Sequence, residues 1–218
     1  MGGRPAAGGG RWVEVDPHRL ARWVEGFVDR HGPPTVTPRE DGLLLSAPDG
    51  TTAQLYVPPG ASAGGDLPGF LAAAATPRRI GLLLARKSAV AVGVAEGETL
   101  TLSKVDSSYV QGRTAAGGWS QHRFARRRDN QAKAALGDAV ELAVRLLLPQ
   151  AGTLDAVVVG GDRRTVDGIL ADRRLARLAA LRADRLLDVP EPRHAVLVAA
   201  IAAARAVRIL VRDPAPPD

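Results

Sequence analysis

In this chain of 218 residues, Gln121 stands where three unlike chemistries meet. Behind it lie Gly117, Gly118, Trp119 and Ser120, ahead of it Arg123, Arg126, Arg127, Arg128 and Lys133, and upstream Arg113. A glutamine amide is neither an acid nor a base nor a strong nucleophile at neutral pH. It can orient a water molecule and donate a hydrogen bond to a developing oxyanion. It can equally be an ordinary residue at a helix start. The glycine pair permits positive φ and close approach of backbone to a ligand. Trp119 suits stacking on a nucleobase, worth ~1–3 kcal/mol, or packing back on its own sheet. Between Gln111 and Lys133 only Asp129 opposes the cations. At helical spacing Arg123 shares a face with Arg127, and Arg126 with Asn130 and Lys133. Such a face repels itself unless a polyanion meets it, and phosphates do so with release of counterions. Charge alone also fits a solvated face in an arginine-rich chain.

The elements that must position these residues follow from the neighbouring pattern. Gly112, Gly117 and Gly118, with small residues between them, lack strand alternation and disfavour a helix by roughly 1 kcal/mol each. A flexible loop is predicted there. From about Ser120 an Ala-, Arg- and Leu-rich run continues to Leu148, just before Pro149, and predicts one long helix with Gln121 at its amino end. Ala132, Leu136, Ala139, Val140, Ala143 and Leu147 form an apolar stripe along it, which should lie on a sheet and leave the arginines presented.

Gly117-Gly118-Trp119-Ser120-Gln121 followed by the basic helix resembles the catalytic loop of the middle domain of eukaryotic and archaeal peptide-chain release factors. The spacing Gly118-Trp119-Ser120-Gln121 is similar to the G-x-x-Q loop of the Vms-like release factors, and the run from Arg113 to Ala132 is similar to actinobacterial Vms-like peptidyl-tRNA hydrolases. The similarity extends from Arg11 to about Val211. Two residues, Trp119 and Ser120, separate the glycine pair from Gln121, where the release-factor middle domain has a plain Gly-Gly-Gln. The resemblance implies hydrolysis of the ester between a nascent peptide and the 3′-terminal ribose of tRNA on stalled large ribosomal subunits. Gln121 would then be catalytic, with Gly117, Gly118, Trp119 and Ser120 shaping the loop. Arg113, Arg123, Arg126, Arg127, Arg128 and Lys133 would bind RNA. It implies partners in the large subunit and peptidyl-tRNA, a cytoplasmic monomer, and no cofactor or metal. Cleavage of the tRNA backbone near its 3′ end, an activity of some Vms-like relatives, is the enzymatic alternative. A non-catalytic RNA-binding adaptor is the other.

Composition agrees with this class without defining it. The net charge of +6 favours an acidic partner such as nucleic acid. The absence of cysteine excludes disulfides and thiolate metal sites. No apolar run approaches the ~20 residues that span a bilayer, and MGGRPAAGGG is unlike a signal peptide, so a soluble intracellular protein is expected. His18, His31, His122 and His194 are scattered without metal-ligand spacing. Ile80 to Ala85, the first strand of the main domain, carries no carboxylate for a two-metal nuclease. Gly160 to Thr165 lacks the Lys-Ser/Thr of a phosphate loop and is read as a turn with Asp162 capping a helix.

The rest of the chain predicts residues 1–10 as a disordered start and residues 11–58 as a small helix-plus-meander region. Asp16-Pro17 starts the helix, with Trp23 and Phe27 in its packed face. Asp41-Gly42 and Asp49-Gly50 turn three antiparallel strands. Residues 59–76 read as a linker, residues 77–211 as the release-factor-like domain and residues 212–218 as a tail. Within the main domain the order β-β-β-α-β-α-β-α is that of the RNase H-like fold, an α+β class with a mixed sheet and packed helices. Its last strand is expected at Leu186 to Val189 and its final helix from Pro192 to Val207.

Overall fold

A computed structural model describes residues 4–86, 89–107 and 120–214, and for residues 120–130 the helical backbone alone. Two compact units divide the chain, Met1–Pro77 with Ala202–Asp218, and Arg78–Ile201.

The first unit begins with β1 (Arg4–Pro5) and β2 (Arg11–Val15), paired antiparallel with Arg4 opposite Trp12. The expected disordered start is therefore partly ordered. Gly8, Gly9 and Gly10 all have positive φ, which lets so short a segment fold back on itself. Asp16 accepts from the His18 amide at 2.9 Å and caps a 3-10 turn, Pro17–Arg19, that leads into α1 (Leu20–His31). Trp23 and Phe27 stack at 5.7 Å, and Phe27 is fully buried, so this pair belongs to the core as read. β3 (Thr35–Arg39), β4 (Gly42–Ser46) and β5 (Thr52–Tyr56) form the expected antiparallel meander. Gly42 is obligatory at its turn, because a Cβ there would meet the Leu55 carbonyl oxygen at 1.8 Å.

The stretch read as a linker holds α2 (Leu67–Ala75). Asp66 caps it by accepting from the Gly69 amide at 2.7 Å, Pro68 sits in the first turn, and Phe70 and Ala74 are buried. Cap and proline are the ordinary helix-start signal; the surrounding Gly, Ala and Ser obscured it.

The second unit runs β6 (Arg79–Arg86), β7 (Ala89–Glu96), β8 (Thr99–Ser107), α3 (Ser120–Leu146), β9 (Ala156–Gly161), α4 (Arg163–Leu170), α5 (Ala176–Ala180), β10 (Arg182–Leu187) and α6 (His194–Arg205). The sheet order is β10-β9-β6-β7-β8. β9 is parallel to β6 and β10, and β7 is antiparallel to β6 and β8. This is the RNase H-like mixed sheet of the expected α+β class. β6, β7 and β9 are buried on both faces, which is why they read as continuous apolar runs. One face, through Leu83, Val92 and Val159, packs in a single core with α3, α4 and α5. On the other, a Cβ at Gly93 would meet Leu197 of α6 at 2.9 Å, so α6 crosses close to β7. Asp162 caps α4 through the Thr165 amide, and its carboxylate also accepts from the Thr165 hydroxyl.

Two boundaries differ from expectation. The last strand of this sheet starts at Arg182 rather than Leu186, and the final helix stops at Arg205. The chain then forms β11 (Val207–Arg212), which inserts between β2 and β5 of the first unit. Residues 207–211 thus pair within the sheet of the first unit, and Arg212 is strand, not tail. Val207, Ile209 and Val211 alternate onto the core with Val15 and Leu55, and β11 satisfies backbone groups that β2 and β5 would otherwise leave open. The complete first sheet is antiparallel, in the order β1-β2-β11-β5-β4-β3. Pro38 lies in its edge strand β3, where the missing N–H breaks no ladder.

Candidate functional site

α3 is the element on which the sequence-predicted site depends. Its 27 residues span ~40 Å at the helical rise. Ser120 is its first residue and Gln121 falls in its first turn. Gly117, Gly118, Trp119 and Arg113 lie outside the described residues, as do the side chains of Gln121, Arg123, Arg126, Arg127 and Arg128.

The carboxyl half of α3 is held firmly. Ala139, Val140, Leu142, Ala143 and Leu147 are buried in the core of the second unit, with Leu136 packed at its margin. Ala132, placed by periodicity in the buried stripe, is exposed, as are Lys133 and Ala134. Among the described side chains of α3, packing on the core thus begins at Leu136, from which Gln121 lies ~22 Å along the axis toward the amino end. Lys133 is one turn from that support and makes no ion pair with another described residue.

A polar brace reinforces the anchor. The Nη2 of Arg174 meets Oε1 of Glu141 on α3 at 2.8 Å, while its Nε and Nη2 donate to both Asp172 oxygens at 3.0 Å. Asp172 also accepts from the Arg174 amide at 2.9 Å and thereby caps the 3-10 turn Arg173–Leu175. The Arg174 guanidinium holds the Asp172 carboxyl below its ordinary range, with the backbone amide adding to the effect. Asp172 and Glu141 in turn raise the Arg174 pKa. Beside the brace lies an open groove of about 370 Å³, lined by Lys133, Leu136 and Val140 of α3 and by Gly168, Ala171 and Asp172 opposite. This brace is not readable from sequence, because Glu141 and Arg174 lie far apart in the chain and nothing in their spacing links them.

Two of the scattered histidines make structural contacts. His31 pairs with Asp49 at 2.8 Å, and His18 approaches Arg205 at 3.5 Å. Among the described residues no three His, Asp or Glu side chains converge as a metal site would require. No described helix is long and apolar enough to cross a membrane. The excess of Arg and Lys over Asp and Glu falls in Arg78–Ile201, the first unit being close to neutral.

A mixed sheet of this order, packed against a long helix that begins at Ser120, defines an α+β domain of RNase H-like type. Residues 78–210 match the family described as the actinobacteria/chloroflexi VLRF1 release factor, and the chain belongs to that family. Among solved structures it is similar to the archaeal translation termination factor aRF1, at 20% identity and a TM-score of 0.44, over 58% of this chain and 36% of that one. A second similar structure, titled only as an archaeal protein, shows 17% identity and a TM-score of 0.44, over 74% of this chain and 52% of that one. The chain thus spans about a third to a half of the length of these solved relatives. No curated protein matches it.

The brace sets a pH dependence. Because the folded state depresses the Asp172 pKa, its stabilisation is complete above the ordinary value of 3.8 and is lost as the pH falls through the lower folded value. Thermal melts should show Asp172→Asn below the unaltered chain at neutral pH, with the gap closing as the pH falls below 3.8.

Proposed function

We propose that the chain is a ribosome-associated peptidyl-tRNA hydrolase that frees nascent peptides from stalled large subunits. The observation that carries this reading is the family match across the whole RNase H-like domain. It is supported by a helix that begins at Ser120 and is packed only from Leu136 onward among its described side chains. A rod of that form suits a reagent needed some distance from the body of its carrier.

In this reading Gln121 positions water against the ester carbonyl and donates a hydrogen bond to the oxyanion. Water adds to the carbonyl carbon, the bond to the ribose oxygen breaks, and that oxygen takes a proton as the tRNA leaves. The peptide departs as a carboxylate. The ester is already activated, so orientation and hydrogen bonding suffice, and no charged side chain is needed at the reacting atoms. Gly117 and Gly118 let the loop backbone pass close to RNA, Ser120 opens the helix, and Trp119 stacks on a base. Arg113, Arg123, Arg126, Arg127, Arg128 and Lys133 neutralise phosphates, which relieves the repulsion among them. Work in translation implies the cytoplasm, and the chemistry asks for no cofactor.

Two predictions follow directly from these roles. In a single-turnover assay on stalled large-subunit complexes, Gln121→Ala should slow release by about a hundredfold or more with ribosome binding retained. The released tRNA should keep its terminal adenosine; a shortened 3′ end would mark the protein as a nuclease, and unchanged release by the variant would leave an adaptor. Ribosome affinity should fall steeply with salt, and the pair Arg126→Glu and Arg127→Glu should weaken it and flatten that dependence. Wild-type affinity for this double variant, measured by co-sedimentation, would contradict the basic-face assignment.

A further inference from the structure

We propose that the first unit carries a second RNA site, a platform for unpaired bases on the sheet face that turns away from α1 and α2. The core of this unit lies between those helices and one face of the sheet, through Val15, Leu43, Leu55 and Ile209. Residues of opposite parity point the other way. In the middle of that second face Trp12 of β2 and Tyr56 of β5 stand with ring centroids 5.3 Å apart, tilted by 45°. The Cζ of Arg208, on β11 between them, sits 4.2 Å over the indole. All three side chains are half-buried and none belongs to the hydrophobic core.

Several features select single-stranded RNA as the occupant. Arg208 makes no ion pair with another described residue, although Glu14 is its ladder partner on β2, and its guanidinium carbon lies over Trp12. A guanidinium over an indole, beside a phenol ring, offers the planar groups on which splayed bases stack. Register places Arg4, Arg39 and Arg212 on the same face as Trp12 and Tyr56, with Glu14 the only strand carboxylate among them. The unit is close to neutral as a whole, so this face is locally cationic and complementary to a phosphate backbone. Between the charges Thr52 can hydrogen-bond a base edge, while Gln54 donates to Asp41 at 3.1 Å, and Leu44 and the buried Leu210 share this face beneath the polar side chains. None of this depends on the role of Gln121.

The test uses the full chain and a labelled oligouridine containing photoreactive 4-thiouridine. Crosslinks from the unaltered protein should map to Arg11–Val15, Thr52–Tyr56 or Val207–Arg212 as well as to the basic helix. By fluorescence anisotropy, Trp12→Leu should lose about five- to a hundredfold in affinity with the salt dependence unchanged. Arg208→Gln should bind more weakly with a salt slope shallower by about 0.7, and Tyr56→Phe, which keeps the ring, should bind as the parent does. Crosslinks confined to residues 108–135, or parental affinity in both Trp12→Leu and Arg208→Gln, would overturn the proposal. So would protection of this face in stalled complexes by a protein rather than by RNA. Because crosslinks are read on the unaltered chain, misfolding of a variant cannot mimic either result. Gln121→Ala should keep the crosslinks to Arg11–Val15, Thr52–Tyr56 or Val207–Arg212 whether or not it still releases peptide, which separates failure here from failure of the Gln121 assignment.

Discussion

The burial of Leu142 and Ala143 of α3, with Leu147 just past its end, in the core of the second unit is the constraint on which the rest depends. Each buried leucine contributes about 1.5–3 kcal/mol. By sequence spacing Arg123 opposes Arg126 and Arg127, and each such like-charged pair costs about 0.2–0.5 kcal/mol. The anchor therefore outweighs the repulsion by several fold, and one helix can be hydrophobic at its carboxyl end and cationic at its amino end without coming apart. Arg174 adds a second hold, reaching Glu141 from a turn fixed by Asp172. Its partners are partly exposed, so its value lies in direction more than in strength. Together these contacts fix the axis of a rod whose described side chains first meet the core at Leu136.

The same logic of division appears in the chain as a whole. The excess positive charge resides in Arg78–Ile201, the unit that matches the release-factor family. The first unit is completed by the last strand of the chain, so β11 ties the two ends of the sequence into one sheet. In that unit Arg4, Arg39, Arg208 and Arg212 share one sheet face with Trp12 and Tyr56, and Val15, Leu43, Leu55 and Ile209 face the core on the other.

Much of this architecture was legible in the sequence, for identifiable reasons. β6, β7 and β9 are apolar over their full lengths because both faces are buried, and α3 is announced by the end of the glycines and by its 3.6-residue stripe. Asp16 and Asp162 were readable as caps because their carboxylates accept from backbone amides two or three residues ahead. What escaped reading was non-local or masked by composition. α2 is hidden in a Gly-, Ala- and Ser-rich stretch despite its Asp66 cap, and β11 reads as the close of the main α+β domain because its partners lie far away in the chain. Trp12 and Tyr56 each sit in an unremarkable alternating strand, and only the insertion of β11 brings Arg208 between them. Of the candidate site, the spacing placed Gln121 at a helix start, and the helix does begin at Ser120; Ala132 was assigned to a buried stripe that starts one turn later.

The central claim is that α3 acts as a continuous rod transmitting position from its buried half to Gln121. Ala134 is exposed and lies between the anchored and the basic segments. Proline there removes a helical hydrogen bond and kinks the axis at a cost of about 3 kcal/mol while touching neither core nor charge. The decisive measurement is the single-turnover release rate of Ala134→Pro on stalled large-subunit complexes, with a thermal melt to confirm that the sheet remains folded. The account predicts release slowed by at least about tenfold in a folded protein; release at the parental rate would contradict it.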